Sequence, residues 1–282
     1  MKVIRTVSGL RDFVEGNRRQ NHSIGLVPTM GALHAGHISL MKAARADNDI
    51  VIASVFVNPT QFNNPEDLRT YPRTEEADCQ KLEQAGVDAA FIPCVEEIYP
   101  EPDTRQFALG PVAEVMEGAM RPGHFNGVAQ IVSKLFAMTR PTRAYFGEKD
   151  FQQIAVIRKM AALEGFDIDI VACPIVREPD GLALSSRNVR LTPEGRRIAP
   201  AIHRTLAESK RMAATHSVEE VKKFVTDTIN AVDGLDVEYF EIADALTMQP
   251  ASDWSSANGT VGCVTVYDGD VRLIDNIVYS KR

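Results

Sequence analysis

Short continuous apolar blocks recur through the first part of this chain, and between them apolar residues fall at three- and four-residue spacing. The blocks are Ile24 to Val27, Asp49 to Val57, Ala89 to Ile92, Ala144 to Gly147 and Ile168 to Ala172. Lacking a polar alternation, they predict parallel strands covered on both faces. Helical spacing links Ile38, Met41 and Ala44; Cys79 and Leu82; Val128, Ile131, Val132, Leu135 and Phe136; and Ile154, Ile157 and Ala161. Punctuation supports the division. The first block stops at Pro28 and the second at Asn58-Pro59, Thr74 with Glu75 and Glu76 reads as a capped helix start, and Gly86 and Gly165 read as helix ends. Residues Met1 to Gln20 read as a short strand followed by a polar helix or loop. Pro93, Pro100, Pro102 and Pro111 exclude a long element between them and leave a surface loop with one short strand near Phe107. Residues 1–176 are therefore expected to form an α/β domain, a doubly wound parallel sheet.

The pattern then changes. Pro174 to Asn188 reads as a loop, hinged near Pro179. Thr192-Pro193-Glu194 opens a helix, and Val218 to Val232 fits a second. Strand-like segments follow at Val237 to Ile242, Thr260 to Tyr267 and Val271 to Tyr279, the last two joined through the hairpin signal Asp268-Gly269. Residues 177–282 are expected to be a smaller C-terminal α+β lid domain.

Composition narrows the class. A chain of 282 residues with 44% hydrophobic content supports a large core. No run reaches the roughly 20 apolar residues of a membrane span, and the first residues lack a signal peptide's apolar stretch, so a cytoplasmic protein is expected. Four cysteines without a CxxC pair predict neither a disulfide framework nor structural zinc, and read as buried apolar fillers. A net charge of −7 argues against broad nucleic-acid binding.

Chemistry concentrates first between Val27 and Met41, where two glycines and the pair His34 and His37 stand at a strand-to-helix corner. A helix N-terminus with outward N–H groups suits a phosphate. Ordinary capping is the plainer reading of the histidines; zinc lacks a third ligand at a recognisable spacing. Three more polar clusters lie beside expected strand ends: Asn58 with Gln61, Gly147 to Gln153, and Ser185 to Asn188. Asp150-Phe151-Gln152-Gln153 can be read as a capping box, which explains Asp150 but not Lys149 or Gln152.

Taken together the clusters resemble a known family. His34-Ala35-Gly36-His37 is similar to the HxGH signature of Rossmann-like nucleotidyl-transferring enzymes. The longer strings Pro28 to His37, Phe56 to Phe62, Tyr71 to Thr74, Arg121 to Phe125, Phe146 to Gln153 and Asp180 to Asn188 resemble the pantoate–beta-alanine ligase, or pantothenate synthetase, family. The resemblance implies a Rossmann-like sheet and a two-step ligation, in which pantoate and ATP give pantoyl adenylate and pyrophosphate, and beta-alanine then displaces AMP. Other nucleotidyltransferases of the superfamily are the alternative.

Carried over by motif, the resemblance implies His34, His37, Lys149, Ser185, Ser186 and Arg187 as the catalytic, phosphate-holding set. Gly147 and Asp150 would meet the ribose, and Val176 the adenine through its backbone. Met30 and Leu184 complete the ATP-binding set, and Met30, Asn58, Gln61 and Gln153 would bind pantoate. Magnesium would accompany ATP, held mainly by phosphate oxygens with Asp78 as a candidate protein ligand. No residue stands out as base for the beta-alanine amine, for which free amine, a non-bridging phosphate or His37 remain open. A homodimer is implied by the resemblance alone.

Overall fold

The computed structural model describes residues 1–281, Lys281 by its backbone only. The chain opens with β1 (Lys2–Ile4), α1 (Val7–Arg18), β2 (Ile24–Thr29), α2 (Ala35–Asp47) and β3 (Ile50–Val55). Two helices, α3 (Pro65–Thr70) and α4 (Glu75–Gln84), lead to β4 (Ala89–Phe91). Short helices α5 (Val95–Ile98) and α6 (Glu117–Met120) precede α7 (His124–Thr139), followed by β5 (Arg143–Gly147), α8 (Phe151–Glu164) and β6 (Asp169–Cys173). These strands pair in parallel in the order β1-β4-β3-β2-β5-β6. Successive residues of each strand serve opposite faces. Ile24, Leu26, Ile52, Phe91 and Phe146 join one core with α1, α7 and α8, while Val27, Val51, Ala53, Ala90 and Tyr145 join another with α2 and α4.

Strand order reverses between β2 and β5. Their pairing covers only Gly25 with Arg143 and Leu26 with Ala144, whereas β2 pairs β3 as far as Thr29 with Val55. Pro28, expected to end the strand, is accommodated inside it for this reason. The Ile24 carbonyl accepts from Thr142 N–H on the β5 side, and alternation directs Leu26 and Pro28 the same way. Beyond Leu26 that side carries no ladder, so the missing proline N–H breaks nothing.

The second unit comprises α9 (Pro193–Ile198), α10 (Ala201–Met212), α11 (Val218–Asn230) and an antiparallel sheet of β7 (Leu235–Asp244), β8 (Gly259–Asp268) and β9 (Val271–Lys281). The helix expected from Thr192 is split at Pro200, which separates α9 from α10. The expected hairpin stands, with Asp268 opposite Val271. One sheet face, with Phe240, Ile242, Val264 and Val266, packs on α10 and α11. The other sends Ala243, Val261 and Cys263 into the first unit's core, so the two units share apolar packing.

Other expectations are corrected. No strand forms near Phe107; its N–H donates to Asn126 Oδ1 (3.0 Å), and Gln130 Nε2 donates to the carbonyls of Asp103 and Arg105, so α7 side chains satisfy the backbone that a ladder would have paired. Cys173 and Cys263 are buried, but Cys79 is half-buried and Cys94 exposed. On α4 the fully buried partner of Leu82 is Asp78 rather than Cys79.

A largely buried ion pair, with Arg272 19% and Glu117 12% exposed, ties the second sheet to the first unit. Glu117 of α6 receives both Arg272 guanidinium nitrogens of β9 (2.8 and 2.7 Å), together with the Tyr239 hydroxyl (2.8 Å) and the Thr265 hydroxyl (3.1 Å). Burial alone would raise the Glu117 carboxyl, but the bonds and charge of Arg272 outweigh it and hold the group at about 2. Removing Arg272 leaves Glu117 with only the more distant Arg121 (3.5 Å) as a cation and also unpairs Glu238. Arg272→Met is expected to destabilise the protein by about 3 to 5 kcal/mol in urea denaturation. A loss under about 1 kcal/mol would show that the pair does not secure the sheet.

Candidate active site

Where β2 and β5 stop pairing, a cleft of about 220 Å³ opens at their C-terminal ends. Ligands in open α/β sheets bind at this switch in strand order. Met30, His34, His37, Asn58, Gln61, Gly147, Lys149, Asp150, Gln153, Val176, Leu184, Ser185, Ser186 and Arg187 all line it. Of the residues the resemblance implied, only Asp78 lies elsewhere; Gln152 and Asn188 of the polar clusters also lie outside it.

His34 is the N-cap of α2. Its Nδ1 accepts the Gly36 N–H (3.2 Å), while His37 Nδ1 accepts the His34 N–H (3.3 Å), a capping box made of two imidazoles whose ring centres lie 4.1 Å apart. With Nδ1 accepting in both rings, the single proton of each neutral imidazole sits on Nε2. Charging either ring would break a cap. Burial, then the charges of Lys149 and Lys81, lower His34 to about 4; burial, His34 and the same lysines lower His37 to about 3. The corner thus presents two uncharged N–H donors at neutral pH.

The turn before this corner is strained. Gly31 (φ 82°) and Ala32 (φ 48°) are both left-handed, a conformation costing an alanine about 1 to 2 kcal/mol. Helix α4 holds it: Asp78 accepts from Ala32 N–H (2.9 Å), Leu33 N–H (2.8 Å) and the Thr74 hydroxyl (3.1 Å), and Lys81 Nζ donates to the Leu33 carbonyl (2.6 Å). Asp78 is wholly buried, outside the cleft's lining, and its oxygens take two backbone N–H groups and the Thr74 hydroxyl. Among the described residues no three His, Cys, Asp or Glu side chains group as a metal site.

On the facing wall, Asn58 is buried; its Nδ2 donates to Gln61 Oε1 (3.2 Å) and Gly127 O (3.1 Å), and its Oδ1 accepts from the Tyr99 hydroxyl (2.8 Å). The bond to Oε1 fixes the Gln61 amide and leaves Nε2 as its donor end, 3.4 Å from Met30 sulfur. His124 Nδ1–H donates to Gln61 O (2.8 Å) while Arg121 donates to its Nε2 (3.2 Å). Burial and the Arg121 charge lower His124 to about 4. Val128, Ile131, Val132 and Leu135 of α7 supply an apolar wall.

Lys149 is positioned from β9, where Asn276 Nδ2 donates to the carbonyls of Glu148 (2.7 Å) and Lys149 (3.0 Å). Asp150 makes no side-chain cap, so the capping-box reading fails for it. Gln152 is explained instead by structure: it is buried and bonded to the carbonyls of Val112 and Val115 and the N–H of Glu117. Ser186 and Arg187 reach toward the Pro65–Tyr71 segment, Ser186 Oγ lying 3.2 Å from the Tyr71 hydroxyl and Arg187 pairing with Asp67 (2.8 Å). The Val176 carbonyl accepts from Leu184 N–H (3.0 Å), pinning the loop's two sides together.

Sequence reasoning missed Lys81, Asn276 and the bracing role of Arg121 and His124. Only the Arg121-Pro122-Gly123-His124 turn carried a local signal. Lys81 and Asn276 sit in an ordinary helix and strand, recognisable only once the chain is folded.

Fold and cleft together define a nucleotide-binding enzyme of the doubly wound α/β class. The profile of the Pantoate-beta-alanine ligase family matches residues 2–278. Pantothenate synthetase of Porphyromonas gingivalis is 61% identical over 279 residues (99% of each chain), and that of Bacteroides fragilis is 59% identical over 281 residues (100% of each). The crystal structure of pantothenate synthetase from Thermus thermophilus superposes with a TM-score of 0.92 at 46% identity, covering 98% of this chain and 99% of that one. A Francisella tularensis pantoate-beta-alanine ligase, complexed with beta-gamma ATP and beta-alanine, gives 0.81 at 36% identity over 99% and 98%. This chain belongs to the pantoate-beta-alanine ligase family and is an ATP-dependent ligase.

The lowered histidines set a pH window. Unfolded histidines bind protons near 6.5, whereas His37, His34 and His124 in the fold do so only at about 3, 4 and 4, so between those limits the unfolded chain holds more protons. Stability is therefore full above about pH 6.5 and falls as pH drops through 5 toward 4. His37→Gln is expected to shallow that slope in thermal unfolding, and an unchanged slope would remove His37 from it.

Gly127 is a second checkable point. A Cβ there would stand 2.3 Å from Thr60 O and 2.6 Å from Gln61 Cα, both backbone. Helix propensity would favour alanine by about 1 kcal/mol, but overpacking against backbone outweighs it. Gly127→Ala is expected to lower stability by about 1 to 3 kcal/mol, measured by urea denaturation; a gain would mean the Thr60–Gln61 turn yields freely.

Proposed function

We propose that the cleft performs the ligation as two displacements at one place: pantoate's carboxylate attacks the α-phosphorus of ATP, and beta-alanine's amine then attacks the acyl carbon of pantoyl adenylate, releasing AMP. The observation that carries this reading is the opposition of two walls, one of donors and cations, the other of amides and apolar groups. A carboxylate is ionised at neutral pH, so the first step needs alignment and stabilisation of the leaving pyrophosphate rather than a base. His34 and His37 donate through Nε2–H, Lys149 supplies charge, and Ser185 and Ser186 supply hydroxyls. Arg187 joins them by exchanging Asp67 for phosphate.

Gly147 and Asp150 take the ribose, and Met30, Leu184 and the Val176 backbone take the base side of ATP. Gln61, through Nε2, and Gln153 hold pantoate's oxygens, with Met30 and the α7 wall against its methyl groups. Asn58 acts through Gln61. Magnesium, when bound on the phosphates, neutralises charge on the departing pyrophosphate. The buried Asp78 does not fit as its ligand, since its oxygens already serve Ala32, Leu33 and Thr74.

His37 is a poor base for beta-alanine's ammonium, because its Nδ1 already accepts and its Nε2 carries the proton. The amine therefore arrives neutral or gives its proton to a non-bridging phosphate oxygen. Residues 1–176 act as the ATP- and pantoate-binding unit and 177–282 as the unit that completes the site through Leu184 to Arg187. Cytoplasmic location rests on the hydrophobic pattern of the sequence and homodimer assembly on the family resemblance; sedimentation tests the latter.

Pantoate-dependent exchange of pyrophosphate into ATP tests the first step, and no exchange by folded protein would refute it. Lys149→Ala is expected to slow exchange roughly a hundredfold, about 3 kcal/mol of transition-state stabilisation. A loss under about tenfold would demote Lys149 from the phosphate set.

A further inference from the structure

We propose that Asp78 and Lys81 are positioning residues for the ligation, a charged clamp on α4 that fixes the Gly31-Ala32-Leu33 turn and thereby aims the His34 and His37 N–H groups. They stand three apart on α4 and so share one face. Their charges match what they hold: the carboxylate takes the two N–H groups of Ala32 and Leu33 (2.9 and 2.8 Å), and the ammonium takes the Leu33 carbonyl (2.6 Å). The turn they grip departs from the usual backbone regions at Gly31 and Ala32, and such a conformation persists only when its surroundings over-determine it.

Leu33 immediately precedes His34, the N-cap of α2, so no flexible residue separates the clamp from the imidazole pair. The Thr74 hydroxyl on Asp78 (3.1 Å) anchors the carboxylate in turn. The two residues differ in exposure, Asp78 being wholly buried and Lys81 exposed, which separates the role from general stability. Oriented donors are sensitive to this kind of support, since a misplacement of about 1 Å can cost about a hundredfold in rate.

The inference rests on the reading that His34 and His37 donate to ATP phosphates, and the test separates the two. Pantoate-dependent ATP–pyrophosphate exchange is measured on the full chain for Lys81→Met, Lys81→Arg, Asp78→Asn, His37→Gln and the double variant Lys81→Met with His37→Gln. Thermal unfolding is followed alongside. Lys81→Met is expected to lower kcat by roughly ten- to a hundredfold with pantoate KM unchanged and the fold intact. Lys81→Arg, which keeps a donor and charge, is expected to restore most of the rate. Because the clamp acts through the two imidazoles, of which His34 remains in the double variant, the double variant is expected to lose less than the product of the two single losses.

Asp78→Asn turns an amide N–H toward backbone N–H groups and is expected to act in the same direction. Should it fail to fold, the Lys81 variants still decide. Wild-type exchange in Lys81→Met, losses that multiply in the double variant, or an Arg variant as slow as Met would each overturn the clamp. Wild-type exchange in His37→Gln would overturn the phosphate role of the histidine instead, and the clamp's purpose with it.

Discussion

The site exists because the central pairing of the sheet is allowed to lapse. β2 and β5 are in register at only two positions, Gly25 with Arg143 and Leu26 with Ala144, while β2 pairs with β3 for its full length. A strand paired on both edges to its end would close the sheet there. Losing the β5 partner opens the space that Met30 and His34 enter from one side and Gly147 and Lys149 from the other. It also makes Pro28 harmless, and through Pro28 it gives the chain a stiff exit into the left-handed turn. Cleft, turn and histidine corner are thus consequences of one interrupted ladder.

What could be read in the sequence follows from which information is local. Strands buried on both faces leave continuous apolar runs, so the parallel sheet was legible, as was the hairpin at Asp268-Gly269. The cleft's lining was legible because phosphate-handling corners place glycine, histidine, lysine and serine in short motifs directly after strands. Local signals misled where a partner from elsewhere overrode them. Pro28 looked like a terminus because its neighbour's absence is a tertiary fact. Residues around Phe107 looked strand-like although Asn126 and Gln130 take their backbone groups. Asp78 stood among neighbouring acids as a candidate metal ligand, yet α4 turns it inward.

The second unit was expected to be a separate lid, and its sheet proves to be divided in allegiance. One face builds its own core with α10 and α11, while the other donates Ala243, Val261 and Cys263 to the first. The Glu117–Arg272 pair and the Asn276 bonds to Glu148 and Lys149 add polar ties across the same boundary. A sheet anchored in this way carries Asn276 as part of the frame around Lys149.

The histidine corner shows why a capping reading and a catalytic reading need not compete. Capping consumes Nδ1 of each ring, which dictates the tautomer and leaves Nε2–H as the ring's donor. Burial and two neighbouring lysines keep the rings uncharged. A neutral donor suits a transferring phosphoryl group when cations already stand nearby, because it adds a directed hydrogen bond without a further desolvated charge. The same backbone bonds that start α2 therefore fix the chemistry its first turn presents, and a ligand's phosphates would meet donors whose direction was decided when the helix folded.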